Sequence, residues 1–283
     1  MPPTRVGVLG GGRMGAGIAH AFLLAGAQVT VIERDAASAD AAGARIAESI
    51  RRSTERDATL DGAEIAARLR TGTDVALFAD ADLVIEAVPE DRALKDEALA
   101  RVEAVLSDVA VLASNTSSIS IDDLAATRTR PARFLGLHFF NPVPASALVE
   151  IVHGSATDQG VTDAARGWVE SLGKTPIIVR DSPGFASSRL GVMLGLEAIR
   201  MLEEGVASAA DIDAAMTLGY RHPVGPLRTT DIVGLDVRLG IAEELSRELG
   251  DRFAPPELLR RMVADGQLGR KSGRGFYDWN EEN

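Results

Sequence analysis

Through roughly the first 180 residues, short apolar runs alternate with alanine-rich segments whose apolar positions recur at helical spacing. The runs are Val6–Leu9, Val29–Glu33, Leu83–Ala87, Val109–Ala113, Phe134–Leu137, Val149–His153 and Ile177–Val179. Several are apolar throughout instead of alternating, the pattern of strands covered by helices on both faces. Strand and helix in repetition predict βαβ units and a parallel sheet. From Ala36 to Leu77, Ala, Arg, Glu and Leu fall at helical spacing. That stretch predicts two helices joined near Thr59-Leu60-Asp61-Gly62, a hairpin protruding from the sheet. Asp181-Ser182-Pro183-Gly184 interrupts the pattern, because Pro and Gly break regular structure. Beyond it only helical spacing recurs, over Phe185–Glu204, Ala209–Leu218, Val233–Leu249 and Pro256–Asp265. The expectation is an α/β chain: a doubly wound sheet with a hairpin insertion over residues 1–183, then an all-helical domain over 184–283.

A chain of 283 residues is long enough for two medium domains. It has no apolar run near the ~18–20 residues of a membrane span and no signal-peptide pattern. It contains no cysteine, which excludes disulfides, thiolate metal sites and cysteine nucleophiles and fits the cytoplasm. No spacing suggests any other metal site. The net charge of −11 argues against nucleic acid, which demands clustered Lys and Arg. Any phosphorylated ligand must then be held by helix N-termini and a few local cations.

Candidate chemistry begins at the end of the first strand. Gly10, Gly12 and Gly15 form G-x-G-x-x-G between a strand and a helix, and the next strand ends in Glu33, 18 residues past Gly15. This is the Rossmann-type dinucleotide-binding pattern. Gly10 permits the turn, Gly12 lets a pyrophosphate approach the backbone, and Gly15 lets the helix pack on the strand. The N–H groups around Arg13 and Met14 then hold phosphate without a lysine. Glu33 would accept both adenosine ribose hydroxyls and repel a 2′-phosphate, favouring NAD over NADP, although the adjacent Arg34 could favour NADP.

Three further segments sit at or just past strand ends: Ser114–Ser118, Gly136–Pro142 and Leu148–Glu150. Ligands of open α/β sheets bind at the carboxyl ends of the strands. Of four histidines, His138 alone is so placed, with Glu150 on the next strand. An imidazole can take a hydroxyl proton at neutral pH, and a carboxylate on its other nitrogen fixes the tautomer. Ser117 can donate to a substrate oxygen. His20 reads as a packed or surface residue, His153 faces away from Glu150, and His222 lies in a turn. Trp168 and Trp279 read as packing residues, and Lys95 and Arg56 as positions where a solvated charge is the default.

With these motifs the chain resembles the 3-hydroxyacyl-CoA dehydrogenase family over nearly its whole length. The resemblance is carried by the Gly10–Gly17 loop, Glu86-Ala87-Val88-Pro89-Glu90, Ser114–Ser118, His138–Pro142, Asp181–Phe185, Pro223-Val224-Gly225-Pro226, Asp231–Asp236 and Gly269–Tyr277. It implies oxidation of the 3-hydroxyl of an acyl-CoA such as 3-hydroxybutyryl-CoA, with His138 as base and Glu150 its partner. It implies Ser117 at the substrate hydroxyl, NAD contacts from Glu90, Lys95, Asn141 and Lys271, and CoA contacts from Ser49 and Arg56 under the hairpin. Arg51 and Arg52 beside them would supply positive charge. It also implies a homodimer paired through the helical domain. One position departs: where the family has Asn before the Arg, this chain has Ser188 before Arg189. The shorter side chain either bridges through water or leaves space beside the reacting carbon, and space there would suit a longer or carboxylated acyl group such as 3-hydroxyadipyl. Free hydroxy acids and acyl-carrier thioesters are rival substrates, and a non-catalytic NAD-binding protein is a rival class.

Overall fold

The structure, a computed structural model, describes residues 3–280. The chain divides into two compact units between Ser182 and Pro183.

The first unit contains, in chain order, β1 (Arg5–Leu9), α1 (Arg13–Leu24), β2 (Gln28–Ile32), α2 (Ala36–Arg56), α3 (Gly62–Ala67), β3 (Leu69–Gly72), β4 (Leu83–Glu86), α4 (Arg92–Glu103), β5 (Val111–Ser114), α5 (Ile121–Ala125), β6 (Phe134–Phe139), β7 (Leu148–His153), α6 (Gln159–Ser171) and β8 (Thr175–Arg180). One eight-stranded sheet runs β3-β2-β1-β4-β5-β6-β7-β8. Strand order reverses direction between β1 and β4, the switch point where such sheets bind ligands. Strands β4, β5 and β6 are buried at every residue, in keeping with their largely apolar runs.

Four expectations need correction. The sheet is not wholly parallel, because β7 runs antiparallel to β6. Only eight residues, 140–147, join those strands, and no helix forms in them. A parallel crossover needs a dozen or more residues, so the chain reverses instead. The helical hairpin is unequal. Its first arm, α2, is 21 residues long, its second, α3, is six, and the chain then returns to the sheet as the edge strand β3. Rather than protruding, α2 buries Ala39, Ala42, Ile46 and Ile50 at three- and four-residue spacing, packed on α1 and β3. Strand β3 escapes sequence reading because one apolar residue in four carries no period. Finally, Val109 lies outside β5 and is 76% exposed.

The second unit contains α7 (Ser187–Glu203), α8 (Ala209–Gly219), α9 (Pro226–Val233), α10 (Leu235–Leu249) and α11 (Glu257–Ala264). Val192, Leu196, Ile199, Leu227, Leu235, Leu245 and Leu259 form its core. The helix expected from Val233 starts instead at Leu235, after Gly234 at φ +106°, and α9 precedes it with Pro226 in its first turn.

Two buried carboxylates clasp the segment after α11. Asp231 accepts from the N–H groups of Phe276 and Tyr277, both at 2.9 Å, and from the Trp279 indole at 2.8 Å. Asp213 accepts from the N–H groups of Leu227 and Arg228 and from the Tyr277 hydroxyl. Arg228 covers the Trp279 ring at 4.7 Å. Trp279 is thus a packing residue, and so is Trp168, 8% exposed in the first unit. Replacing Asp231 with Ala leaves three donors without an acceptor. At about 1–3 kcal/mol for each stranded group, we expect a loss of about 3 kcal/mol or more in urea unfolding. A loss below about 1 kcal/mol would show that the clasp does not hold the segment.

Candidate active site

The strand register aligns one row of residues at the carboxyl edge of the sheet. Leu9 pairs with Glu86, Glu86 with Ser114, Ser114 with Gly136, and Gly136 with Val152. The segments after β1, β4, β5 and β6 therefore leave the same edge, and His138 lies two residues beyond the row.

At the glycine turn, Gly10 adopts φ +94°, which favours glycine. A Cβ at Gly15 would stand 1.8 Å from the Gly10 carbonyl oxygen, so only glycine lets α1 sit this close to the turn. Gly12 is the N-cap of α1, has no side-chain cap, and nothing lies within 4 Å of where its Cβ would stand. Uncapped N–H groups facing open space at a helix N-terminus fit a dinucleotide pyrophosphate. Glu33 follows β2, and its carboxylate accepts from the Gly11 N–H at 2.6 Å, so it reaches the turn as an adenosine-ribose acceptor must. Arg34, the residue that could favour NADP, pairs with Asp35 at 2.9 Å. Arg45 of α2 donates to the Gly11 carbonyl at 3.2 Å, bringing to the turn a cation that sequence reading missed.

Behind the edge lies a buried ionic network. Glu86, fully buried, accepts from the Ser114 hydroxyl at 2.5 Å and from the Lys95 ammonium and Val88 N–H, both at 2.7 Å. Lys95, 1% exposed, also meets the Val88 carbonyl and Glu90, both at 3.2 Å. Three partners match its three donors. Lys95, expected as an NAD contact with a solvated charge as its default, is neither exposed nor at the surface of the edge: it points back under the preceding loop and is held by Glu86. Glu90 in turn accepts from the Thr116 hydroxyl at 2.6 Å and from the N–H groups of Ser117 and Ser118 at 2.9 and 3.2 Å. The sequence-predicted Glu90, Lys95 and Ser117 are therefore brought together. Glu86 and Ser114 join them, legible beforehand only as polar residues ending apolar strands. Asn115 accepts from the Phe139 N–H at 2.9 Å and ties this loop to β6, while Asn141 is exposed just past that strand.

His138 and Glu150 are register partners across β6 and β7. The His138 Nδ1 lies 2.6 Å from the Glu150 carboxylate, with Glu150 fully buried and His138 6% exposed. Phe140 packs against the imidazole, ring centroids 4.4 Å apart. A buried carboxylate on Nδ1 fixes the orientation of the ring. His20, by contrast, is a packed residue: its Nε2 meets the Ser53 hydroxyl at 3.1 Å, and burial lowers its pKa.

On α2, Ser49 is half-buried and its hydroxyl donates to the Arg45 carbonyl, whereas Arg56 is exposed in the last turn. Arg51 and Arg52 are ion-paired with Glu48, and Arg51 also with Glu55, on the exposed face of the helix. In the second unit, Ser188 lies in the first turn of α7, and Lys271 is ion-paired with Asp236 at 2.6 Å. Among the described residues no helix is long and apolar enough to cross a membrane, and no His, Asp and Glu cluster could hold a metal.

Two substitutions test the network. Lys95→Met strands the Glu86 carboxylate in the interior, and we expect about 3–5 kcal/mol of lost stability by chemical denaturation. For Glu90, burial raises the pKa, but Lys95 and the Thr116 and Ser117 hydrogen bonds outweigh it and leave it below the ordinary 4.5. A depressed carboxylate stabilises the fold above that value and loses its contribution as pH falls through and below it. The stability gap between wild type and Glu90→Gln should therefore shrink as pH drops from 6 to 3; a gap independent of pH would refute the charge's role.

Comparison with known proteins completes the site's description. Residues 5–182 match the family described as 3-hydroxyacyl-CoA dehydrogenase, NAD binding domain, and residues 184–279 match its C-terminal domain. The chain is 45% identical over 286 residues to a 3-hydroxybutyryl-CoA dehydrogenase of Mycobacterium tuberculosis, covering 97% of this chain and 98% of that one. It is 38% identical to a mitochondrial hydroxyacyl-coenzyme A dehydrogenase of Mus musculus, over 97% of this chain and 90% of the relative. The crystal structure of an (S)-3-hydroxybutyryl-CoA dehydrogenase from Ralstonia eutropha superposes with a TM-score of 0.94 at 40% identity, covering 98% of this chain and 99% of that one.

Proposed function

Because the chain belongs to the 3-hydroxyacyl-CoA dehydrogenase family, we propose that it catalyses (S)-3-hydroxyacyl-CoA + NAD⁺ ⇌ 3-oxoacyl-CoA + NADH + H⁺, on 3-hydroxybutyryl-CoA or a close relative. The observation that carries the reading is the 2.6 Å contact between the His138 Nδ1 and the buried Glu150 carboxylate. With Nδ1–H donated to Glu150, the imidazole lone pair is on Nε2, and that atom takes the hydroxyl proton. Glu150 holds the ring in place and offsets the positive charge it acquires. NAD supplies the hydride acceptor. The N–H groups of Gly12, Arg13, Met14 and Gly15 would hold its pyrophosphate and Glu33 its ribose, with Glu90, Asn141 and Lys271 as further contacts. Lys95 serves by holding Glu86 and Glu90 in position. Ser117 would donate to the substrate oxygen, where a positioned donor is commonly worth a few kcal/mol as the carbonyl forms, and Ser188 stands at the family's substrate-holding position. Ser49 and Arg56 on α2 would take the CoA moiety. On the same reading the enzyme works as a cytoplasmic homodimer paired through its helical unit.

The test is turnover by purified protein. (S)-3-Hydroxybutyryl-CoA should give saturable NADH formation, and free 3-hydroxybutyrate none. His138→Ala should lower kcat by about 10²- to 10⁴-fold while NADH still binds in a fluorescence titration. Loss of NADH binding in a folded variant would move His138 from base to cofactor contact.

A further inference from the structure

The connection between β6 and β7, residues 140–147, is held by a cation from elsewhere in the chain. Pro142 and Pro144 give the connection no N–H at two positions. The N–H groups of Ala145 and Ser146 both donate to the Pro142 carbonyl, at 3.0 and 3.1 Å. That leaves the carbonyls of Val143 and Ser146 without a backbone donor among the described residues. Both accept from the Lys174 ammonium, at 2.7 and 2.5 Å. Lys174 lies in the turn between α6 and β8. Lys95 and Lys271 are paired with carboxylates, whereas among the described residues none pairs with Lys174. Burial holds its pKa below the ordinary lysine value, with no acid to offset the lost hydration. An ammonium placed there at such a cost has two carbonyl oxygens as its return.

The stapled connection reaches three parts of the candidate site. Its first residue, Phe140, packs against the His138 imidazole. Val143, 2% exposed, lies against α1, where a Cβ at Gly17 would stand 2.9 Å from the Val143 Cβ. Gly17 is in the second turn of the helix whose uncapped N-terminus fits the dinucleotide. At its far end the connection enters β7. There the Thr175 N–H, next to Lys174, donates to the Ala147 carbonyl at 2.6 Å, and Leu148 pairs with Thr175. Glu150 follows two residues later. One short segment thus touches the imidazole, leads to its acid partner and seats on the cofactor helix.

We propose that Lys174 is a positioning residue for hydride transfer. Its two bonds fix the 140–147 connection, and the connection fixes the separation of the His138 imidazole from the N-terminus of α1. The proposal rests on the dehydrogenase reading above, which places the reacting groups between those two points. Lys174 acts through Phe140 and Val143 and makes no contact with substrate. Misplacing reacting atoms by about 1 Å can cost 10²-fold in rate, so a small loosening of the connection is read in turnover.

The experiment compares Lys174→Met, which removes the donors, with Lys174→Arg, which keeps a charged donor group. Lys174→Met should lower kcat for (S)-3-hydroxybutyryl-CoA by about 10- to 100-fold. KM for the thioester should stay within about twofold, because the lost alignment counts only in the transition state. The variant should still bind NADH in a fluorescence titration, and substrate deuterated at C3 should show a larger isotope effect on kcat. Lys174→Arg should recover kcat to within about threefold of wild type. Gly17→Ala crowds Val143 without touching Lys174 and should give the same fall in kcat at unchanged thioester KM, a reading available even where Lys174→Met does not fold. Wild-type kcat in Lys174→Met or in Gly17→Ala overturns the proposal. So does a loss confined to thioester KM, which would make Lys174 a substrate contact. Equal losses in the Met and Arg variants that follow a fall in Tm also overturn it, leaving a packing role alone. A fully active Lys174→Met sinks this inference only; inactivity of the wild type on every thioester sinks the dehydrogenase reading as well.

Discussion

The reversal of the chain between β6 and β7 is the constraint on which the site depends. In an antiparallel pair two residues face each other directly, with their side chains on the same face. That geometry places His138 opposite Glu150 and holds both inside the sheet, where neither can rotate to solvent. Had β7 been reached by a parallel crossover, the acid would have met β6 in another register, and the imidazole would have had no fixed tautomer. The parallel side of β6 matters equally. Its pairing with β5 brings the loop of Asn115 to Ser118 to the edge from which His138 projects, and Asn115 anchors that loop to Phe139.

A strongly acidic chain that binds phosphorylated ligands must concentrate positive field where it counts. Here the field comes from backbone more than from side chains. The N-terminus of α1 is uncapped above the glycine turn, and Arg45 adds one cation beside it. Other cations are consumed internally. Arg51 and Arg52 are matched by Glu48, and Lys95 by Glu86 and Glu90. Through that last cluster two loops become one body, since Glu86 grips the end of β5 through Ser114 and Glu90 grips the loop beyond it. Breaking the ion pair would leave an uncompensated charge in the interior.

Periodicity and turn chemistry alone determined much of this protein. The glycine turn, Glu33, the break at Pro183 and the helical character of the residues beyond that break are local signals, since each rests on residues within a few positions of one another. Predominantly apolar runs identified β4 and β6, because burial on both faces leaves little place for polar residues. His138 and Glu150 could be named from their places at strand ends. Only the tertiary structure decided the direction of β7, the return of the chain as β3 and the burial of Lys95. These depend on partners far along the chain, and a charge looks the same in sequence whether water or a carboxylate surrounds it. Local residues choose the conformations a segment can adopt; long-range packing chooses which atoms meet, and the chemistry comes from the meeting.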